Sequence, residues 1–202
     1  MLCPQAVGVR IGLIFNPTAQ GDKARFLQQQ LDQIRDECVL MPTEGPGHAE
    51  VLAEKAVADG CEVVVAAGGD GTIQEVSNGL VRHPEGLEKT ALALLPLGTV
   101  NVLARELCIP LDFDSAWRVI KQGVKSRVDL PWIDFQKDGQ VQRRCFPALA
   151  GAGMDARACE LVQWETKKMS GQFAYLVAGL ETVREDLPTF TVHTPETTVP
   201  SA

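Results

Sequence analysis

Apolar and polar positions along the chain alternate between two rhythms. Short continuous apolar runs stand at V-G-V-R-I-G-L-I-F (7–15), E-C-V-L-M (37–41), C-E-V-V-V-A-A (61–67) and T-A-L-A-L-L (90–95). Runs of this length bounded by Gly, Pro or Asn predict buried strands. Between them the apolar positions fall three and four apart, as at Phe26, Leu27, Leu31 and Ile34. That spacing predicts helices over 22–35, 48–58 (stopped by Asp59-Gly60), 72–82, about 100–106 and 113–121. Strands alternating with helices predict a mostly parallel sheet covered on both faces.

The texture changes near Gly123. Two strand-like runs then flank Lys137-Asp138-Gly139-Gln140, and an Asp-Gly pair in that setting predicts a hairpin. A helix is expected over 171–185 and a strand over 189–194, followed by a polar tail, T-P-E-T-T-V-P-S-A. The expected organisation is an α/β domain over 1–124 and part of a β-rich second domain over 125–202, with a boundary at about 124–128. The strands of that second part look too few to close a sheet. The chain is therefore expected to be C-terminally truncated, with an exposed edge that invites self-association into a homodimer.

Composition narrows the chemistry. The 202 residues are 45% apolar and 22% charged, as in a globular protein. A net charge of -7 argues against nucleic acid as the main partner, since phosphate backbones favour a basic face. Cysteines 3, 38, 61, 108, 145 and 159 show no CxxC or CxxH pairing and several lie in apolar runs, so buried thiols in a reducing cytoplasm are expected. No run reaches the ~18 apolar residues of a membrane span, and the start lacks the pattern of a signal peptide. A lipid substrate would be met at the membrane surface.

The chemistry concentrates in A-A-G-G-D-G-T (66–72), where a buried strand stops, turns on glycines and opens a helix. Such a turn gathers backbone N–H groups and the positive end of a helix at one point, which suits a phosphate. An Asp there works through a metal or orients a polar group. In parallel sheets ligands sit beyond the carboxyl ends of the strands. Asn16, Thr43, Asp70 and Thr99 all follow predicted strand ends.

Four motifs in order, F-N-P-T-A-Q-G (15–21), G-G-D-G-T (68–72), P-L-G-T-V-N (96–101) and F-P-A-L-A-G-A-G-M-D-A (146–156), resemble the diacylglycerol kinase catalytic-domain family, which includes bacterial lipid kinases and sphingosine kinases. The resemblance implies an NAD kinase/diacylglycerol kinase-like α/β fold and transfer of the γ-phosphoryl group of ATP, with Mg²⁺, to a lipid hydroxyl of the diacylglycerol or sphingoid kind. It implies nucleotide contacts from Asn16, Thr43, Gly68, Gly69, Asp70, Gly71, Thr72, Ile73, Gln74, Gly98, Thr99 and Asn101. Gly21 would help shape the phosphate loop, and Asp70 would serve catalysis by holding a metal through water.

Two departures stand beside it. Val102 occupies a position where the family usually has Asp. The family's general base, a Glu in a later D-G-E motif, is not found: the Asp-Gly pairs 59–60, 70–71 and 138–139 are not followed by Glu. Binding without useful turnover is the expectation for these residues alone. A nucleotide-binding module without turnover is the alternative reading, and an NAD kinase, which shares GGDG, fits P-L-G-T-V-N less well.

Several side chains stay open between two roles. Glu75 either reaches the ligand or favours a helix N-terminus. His48 is expected to cap or to face solvent. Arg105 and Glu106 form a surface pair or touch a headgroup. Met154-Asp155 lines a cleft or a plain turn. Trp117, Trp132 and Trp164 pack, or meet a membrane where exposed.

Overall fold

The computed structural model describes residues 9–17, 22–151, 153, 156–157, 191–193 and 198–200. The expected helix at 171–185, Gly21, Met154-Asp155, Trp164, Cys3 and Cys159 lie outside them. Residues Met1–Ala148 form one compact unit and Leu149–Ala202 another.

In the first unit, strands β1 (Ile11–Phe15), β2 (Val39–Pro42), β3 (Val63–Gly68) and β4 (Ala91–Pro96) pair in the order β2-β1-β3-β4. Every pairing is parallel. The helices between and after them are α1 (Asp22–Ile34), α2 (His48–Ala58), α3 (Asp70–Arg82), the short α4 (Gly86–Lys89), α5 (Val102–Glu106) and α6 (Phe113–Gln122).

The strict alternation of a strand splits each apolar run between two cores. Ile14, Val64, Ala66 and Leu94 face one way and bury Ala53 and Ala56 of α2, Ile73, Val76 and Leu80 of α3 and Leu103 of α5. Leu13, Phe15, Val63, Val65, Ala67 and Leu95 face the other way, against Leu31 and Ile34 of α1 and Phe113, Ala116 and Trp117 of α6. Each fully buried Leu, Ile or Val contributes about 1.5–3 kcal/mol, so the two-sided burial of β1 and β3 is what holds the sheet between its helices. On the first face α2 and α3 pack closely. A Cβ on Gly79 would stand 2.2 Å from the Glu50 carbonyl oxygen, so only glycine admits that approach.

Adjacent strands β1 and β3 send their chains to opposite faces, β1 into α1 and β3 into α3. This is a topological switch point, and the crevice it opens lies beyond the strands' carboxyl ends. Asn16 follows β1 there, and Gly69 follows β3.

Strand β1 begins at Ile11, four residues later than the apolar run, and α3 begins at Asp70, two residues earlier than expected. The second shift has a local cause: Gly69 is extended (φ −94°) and its carbonyl already accepts the N–H of Ile73 at 3.1 Å.

The Asp-Gly hairpin forms as expected. Strands β5 (Trp132–Lys137) and β6 (Gln140–Cys145) pair antiparallel, and Asp138 (φ 53°) and Gly139 (φ 75°) supply the two positive φ values of a type I′ turn. The expected division at 124–128 follows the end of α6 at Gly123, which caps the helix in the left-handed region. The first compact unit runs on to Ala148 and includes this hairpin, because the end of β6 is bonded to α3 as described below.

In the second unit, β7 (Thr191–His193) pairs antiparallel with β8 (Thr198–Pro200). Thr191–His193 is the described part of the strand expected over 189–194, and the polar tail contains a strand of its own. Val199 stands opposite Val192, an apolar pair that a tail rich in Thr and Pro hides.

Candidate functional site

The site is built where the turn after β3 meets the turn after β4. The ladder continues past the strands, with Leu97 N–H donating to the Gly68 carbonyl at 3.0 Å. There the two glycine turns touch backbone to backbone. A Cβ on Gly98 would stand 2.4 Å from the Gly69 Cα, and one on Gly68 would stand 2.3 Å from Thr72 Oγ1. No side chain fits at Gly98, whatever ligand is bound.

Asp70 and Asn101 fasten this junction. Asp70 Oδ1 accepts the N–H of Val102 at 2.8 Å, satisfying an otherwise orphaned donor in the first turn of α5. Asn101 is 4% exposed and left-handed at φ 55°. Its carboxamide closes on one residue, with Oδ1 accepting from Gly98 N at 3.0 Å and Nδ2 donating to Gly98 O at 2.8 Å. Arg105 Nε donates to the Val100 carbonyl at 2.7 Å. The P-L-G-T-V-N turn is therefore held by polar bonds at Gly98, Val100 and Val102.

The N–H groups of Asp70, Gly71 and Thr72 have no partner within their own helix, because an α-helix leaves its first donors unpaired and Ile73 is the first residue here to bond back. With the positive helix end they make a turn whose chemistry suits an anion. Gly71 is exposed, with open space around its missing Cβ. Thr72 is half-buried beside it and Thr99 is exposed on the facing turn. Ile73 is 1% exposed and belongs to the core, and its N–H is committed to the Gly69 carbonyl, so it offers the site neither its side chain nor its backbone donor.

Thr43, 8% exposed, extends the sheet by donating its N–H to the Phe15 carbonyl at 2.8 Å. Asn16 is exposed at the end of β1. These two follow neighbouring strands, β2 and β1, on the same rim as the glycine turns.

The remaining polar residues of α3 hold the surroundings. Glu75 accepts from the N–H of Gly47 (2.9 Å) and Ala49 (3.1 Å), so it caps α2 from a distance and fixes the Gly45–Gly47 loop that follows Thr43. His48 Nδ1 accepts the N–H of Glu44 at 2.9 Å, so it ties the loop before α2 and does not cap the helix. Gln74, expected to face the nucleotide, directs Nε2 to the Cys145 carbonyl at 2.6 Å.

Asn78 pairs with Cys145 in both directions, Oδ1 accepting its N–H at 3.1 Å and Nδ2 donating to its carbonyl at 3.0 Å. Arg82 reaches the buried carboxylate of Glu50 at 2.9 Å, which also receives Arg144 Nη1 at 2.6 Å. Asp70, Gln74, Asn78 and Arg82 are spaced four apart, and each is bonded to another element. Asn78, Glu50, Arg82 and Arg144 escaped the sequence reading. The period-four polar stripe D-x-x-x-Q-x-x-x-N-x-x-x-R was the available signal.

The three Asp-Gly pairs all have structural places. Asp59-Gly60 ends α2, Asp70-Gly71 opens α3, and Asp138-Gly139 turns the hairpin. Among the described residues no group of three or more His, Cys, Asp or Glu gathers to hold a metal. Asp70 has one oxygen committed to Val102 and the other left to serve a ligand. The residues thus fit a phosphate chain on backbone donors, with a Mg²⁺ that would keep its waters and meet the Asp70 carboxylate through one of them.

Of the four described cysteines, Cys61 and Cys145 are buried, Cys38 is half-buried and Cys108 is exposed, and none is paired. Burial and the neighbouring Glu37 push the Cys38 thiol up to about 11. Trp117 is 4% exposed in the core, whereas Trp132 is exposed and lies 6.0 Å from the Arg143 guanidinium. Arg105 is committed to the Val100 carbonyl, as above.

Comparison with known proteins adds the following. The family model of the diacylglycerol kinase catalytic domain matches residues 10–133. A diacylglycerol kinase of Staphylococcus aureus strain MRSA252 is 33% identical over 178 residues, covering 85% of this chain and 52% of that protein. The diacylglycerol kinase of strain Newman matches with the same identity and coverage. The chain spans about half the length of these relatives. A crystal structure of a diacylglycerol kinase from Bacillus anthracis str. Sterne is similar at a TM-score of 0.53 and 27% identity, over 66% of this chain and 47% of that one. A second, putative diacylglycerol kinase from the same organism matches at 0.53 and 26%, over 68% and 49%.

Proposed function

This chain belongs to the diacylglycerol kinase catalytic-domain family, and from that premise we propose that it binds ATP at the turn Gly68–Thr72 and serves transfer of the γ-phosphoryl group to a lipid hydroxyl. The observation that carries this reading is the contact between Gly69 and Gly98, locked by Asp70 on Val102. It leaves the first-turn donors of α3 open beside an exposed Thr99.

Phosphoryl transfer asks for positioning and neutralisation of charge more than for covalent chemistry. In this reading the N–H groups of Gly71 and Thr72 hold phosphate oxygens, and the α3 dipole favours their charge. Thr72 and Thr99 offer hydroxyls from the two facing turns. Thr43 and Asn16, on the same rim, are the proposed boundary of the remainder of the nucleotide. The free oxygen of Asp70 would hold a water of the metal shell. Mg²⁺, when bound with the nucleotide, supplies neutralisation of charge on the β- and γ-oxygens. The proton acceptor for the lipid hydroxyl is not assigned to any Asp-Gly pair, since all three have structural places.

No helix among the described residues is long and apolar enough to cross a membrane. We propose that the lipid is met at a membrane surface on the cytoplasmic side.

The experiment is transfer of labelled γ-phosphate by the protein to diacylglycerol, sphingosine or phosphatidylglycerol in mixed micelles, with NAD as a separate acceptor. Label in a lipid, lost in Asp70→Asn, is the result that supports the kinase reading and overturns the sequence expectation of binding without turnover. Mg-ATP binding with no labelled lipid would favour a binding module without turnover. Label in NAD would replace the lipid reading altogether.

A further inference from the structure

We propose that Asn78, with Gln74, is a positioning residue for this reaction, one that fixes the chain leaving β6 relative to the helix that opens at the phosphate turn. The inference rests on the kinase reading. Asp70, Gln74 and Asn78 lie on one face of α3, four residues apart, so Gln74 and Asn78 sit about 6 and about 12 Å along the helix from the turn. Both reach the same residue. Cys145 is fully buried, and its peptide N–H and carbonyl are both taken by the Asn78 carboxamide, with Gln74 Nε2 adding a second donor to the carbonyl at 2.6 Å.

An Asn side chain pairing both ways with one residue's backbone acts as a one-residue strand partner. Asn78 also anchors itself on its own helix through the Gln74 carbonyl at 2.9 Å. Next along β6, the Arg144 guanidinium is held by the buried Glu50 carboxylate, which Arg82 also bonds. Two consecutive residues of β6 are thus tied to the α2–α3 pair, one through its backbone and one through its side chain.

The outcome is a fixed exit point. Phe146 donates its N–H to the Pro131 carbonyl at 3.0 Å, and Ala148 packs on the cluster that contains Ile73 and Val76. Phe146–Ala148 therefore leave β6 from a place set by the helix that begins with Asp70. The backbone of 146–148 keeps its distance from the phosphate turn as long as the latch holds. Transfer depends steeply on such distances, whereas nucleotide binding uses the first-turn donors of α3.

The test compares wild type, Asn78→Leu and Gln74→Leu, the last at a half-buried site that is less demanding for folding. Hydrogen exchange reads the amides of 143–148, calorimetry reads Mg-ATP affinity, and labelled transfer to lipid micelles gives kcat and the KM for ATP. Either variant should exchange at least tenfold faster at 143–148, keep its Mg-ATP Kd within twofold, and lose at least tenfold in kcat at unchanged KM. Unchanged exchange would refute the latch. Faster exchange with unchanged kcat would reduce it to a structural tie and overturn the positioning role. Affinity falling in step with kcat would do the same. Wild-type protein that binds no Mg-ATP, or binds it and transfers no label, would instead contradict the kinase reading, and the positioning role with it, while exchange would still show whether the latch exists.

Discussion

Asp70 Oδ1 accepts the backbone N–H of Val102 at 2.8 Å, so the first residue of α3 caps the first turn of α5. One carboxylate thereby does two jobs: it joins the two glycine turns, and it presents a second oxygen to whatever the turns bind.

The two jobs separate by substitution. Asn keeps an acceptor oxygen for Val102 but no charge, so Asp70→Asn should fold nearly as stably as wild type and lose about tenfold of the Mg²⁺-dependent part of nucleotide affinity. Asp70→Ala loses the bond as well and should cost about 1–2 kcal/mol of stability, as a lost cap does. Thermal unfolding, and calorimetry with and without Mg²⁺, distinguish them. Equal unfolding temperatures for the two variants would remove the capping role.

Glycines 98 and 71 should respond oppositely. A Cβ on Gly98 falls 2.4 Å from the Gly69 Cα, and backbone cannot swing away as a side chain can. Gly98→Ala should therefore destabilise by about 1–3 kcal/mol and abolish nucleotide binding. Gly71→Ala meets nothing within 4 Å and exchanges a poor helix residue for the best one, a gain of about 0.5–1 kcal/mol. If phosphate approaches across Gly71, the same change weakens nucleotide binding. A stabilised Gly71→Ala protein with undiminished affinity would move the phosphate away from this face.

The thiols give a pH signature. The Cys38 pKa is raised to about 11 by burial and by Glu37, and burial raises Cys61 and Cys145 as well. A raised folded-state pKa favours the protonated thiol, so this contribution is whole below the ordinary thiol value near 9 and is lost as pH rises through about 11. Urea unfolding should show stability falling between those limits, less steeply in Cys38→Ala. At pH 8 a thiol reagent should modify exposed Cys108 before Cys61 and Cys145, which stay intact until unfolding. Early modification of Cys145 would contradict its burial against Asn78.

Much of the frame is legible in the residues themselves. Strands over 61–67 and 90–95, the helix over 48–58 and the Asp-Gly hairpin follow from periodicity and turn chemistry, which are local. The four rim residues after strand ends follow from topology. What stayed hidden is long-range polar pairing. Nothing in the neighbourhood of Asn78 says that it meets Cys145, 67 residues away, or near Glu50 that it meets Arg144, 94 away. Glu75 was legible as a helix N-terminus residue, but the helix it caps is α2 and not its own. Asn101 looked like a ligand contact. Its buried carboxamide turns back on Gly98, a consequence of its left-handed backbone that the residue type permits but does not announce.

Calorimetric titration of the protein with Mg-ATP, against Gly98→Ala as the control, addresses the phosphate turn most directly. Saturable binding that weakens at least tenfold without Mg²⁺ and disappears in Gly98→Ala is the predicted result. Heats of wild type equal to those of dilution, or binding unaltered by Gly98→Ala, would show that the junction of Gly69 and Gly98 is not a nucleotide site.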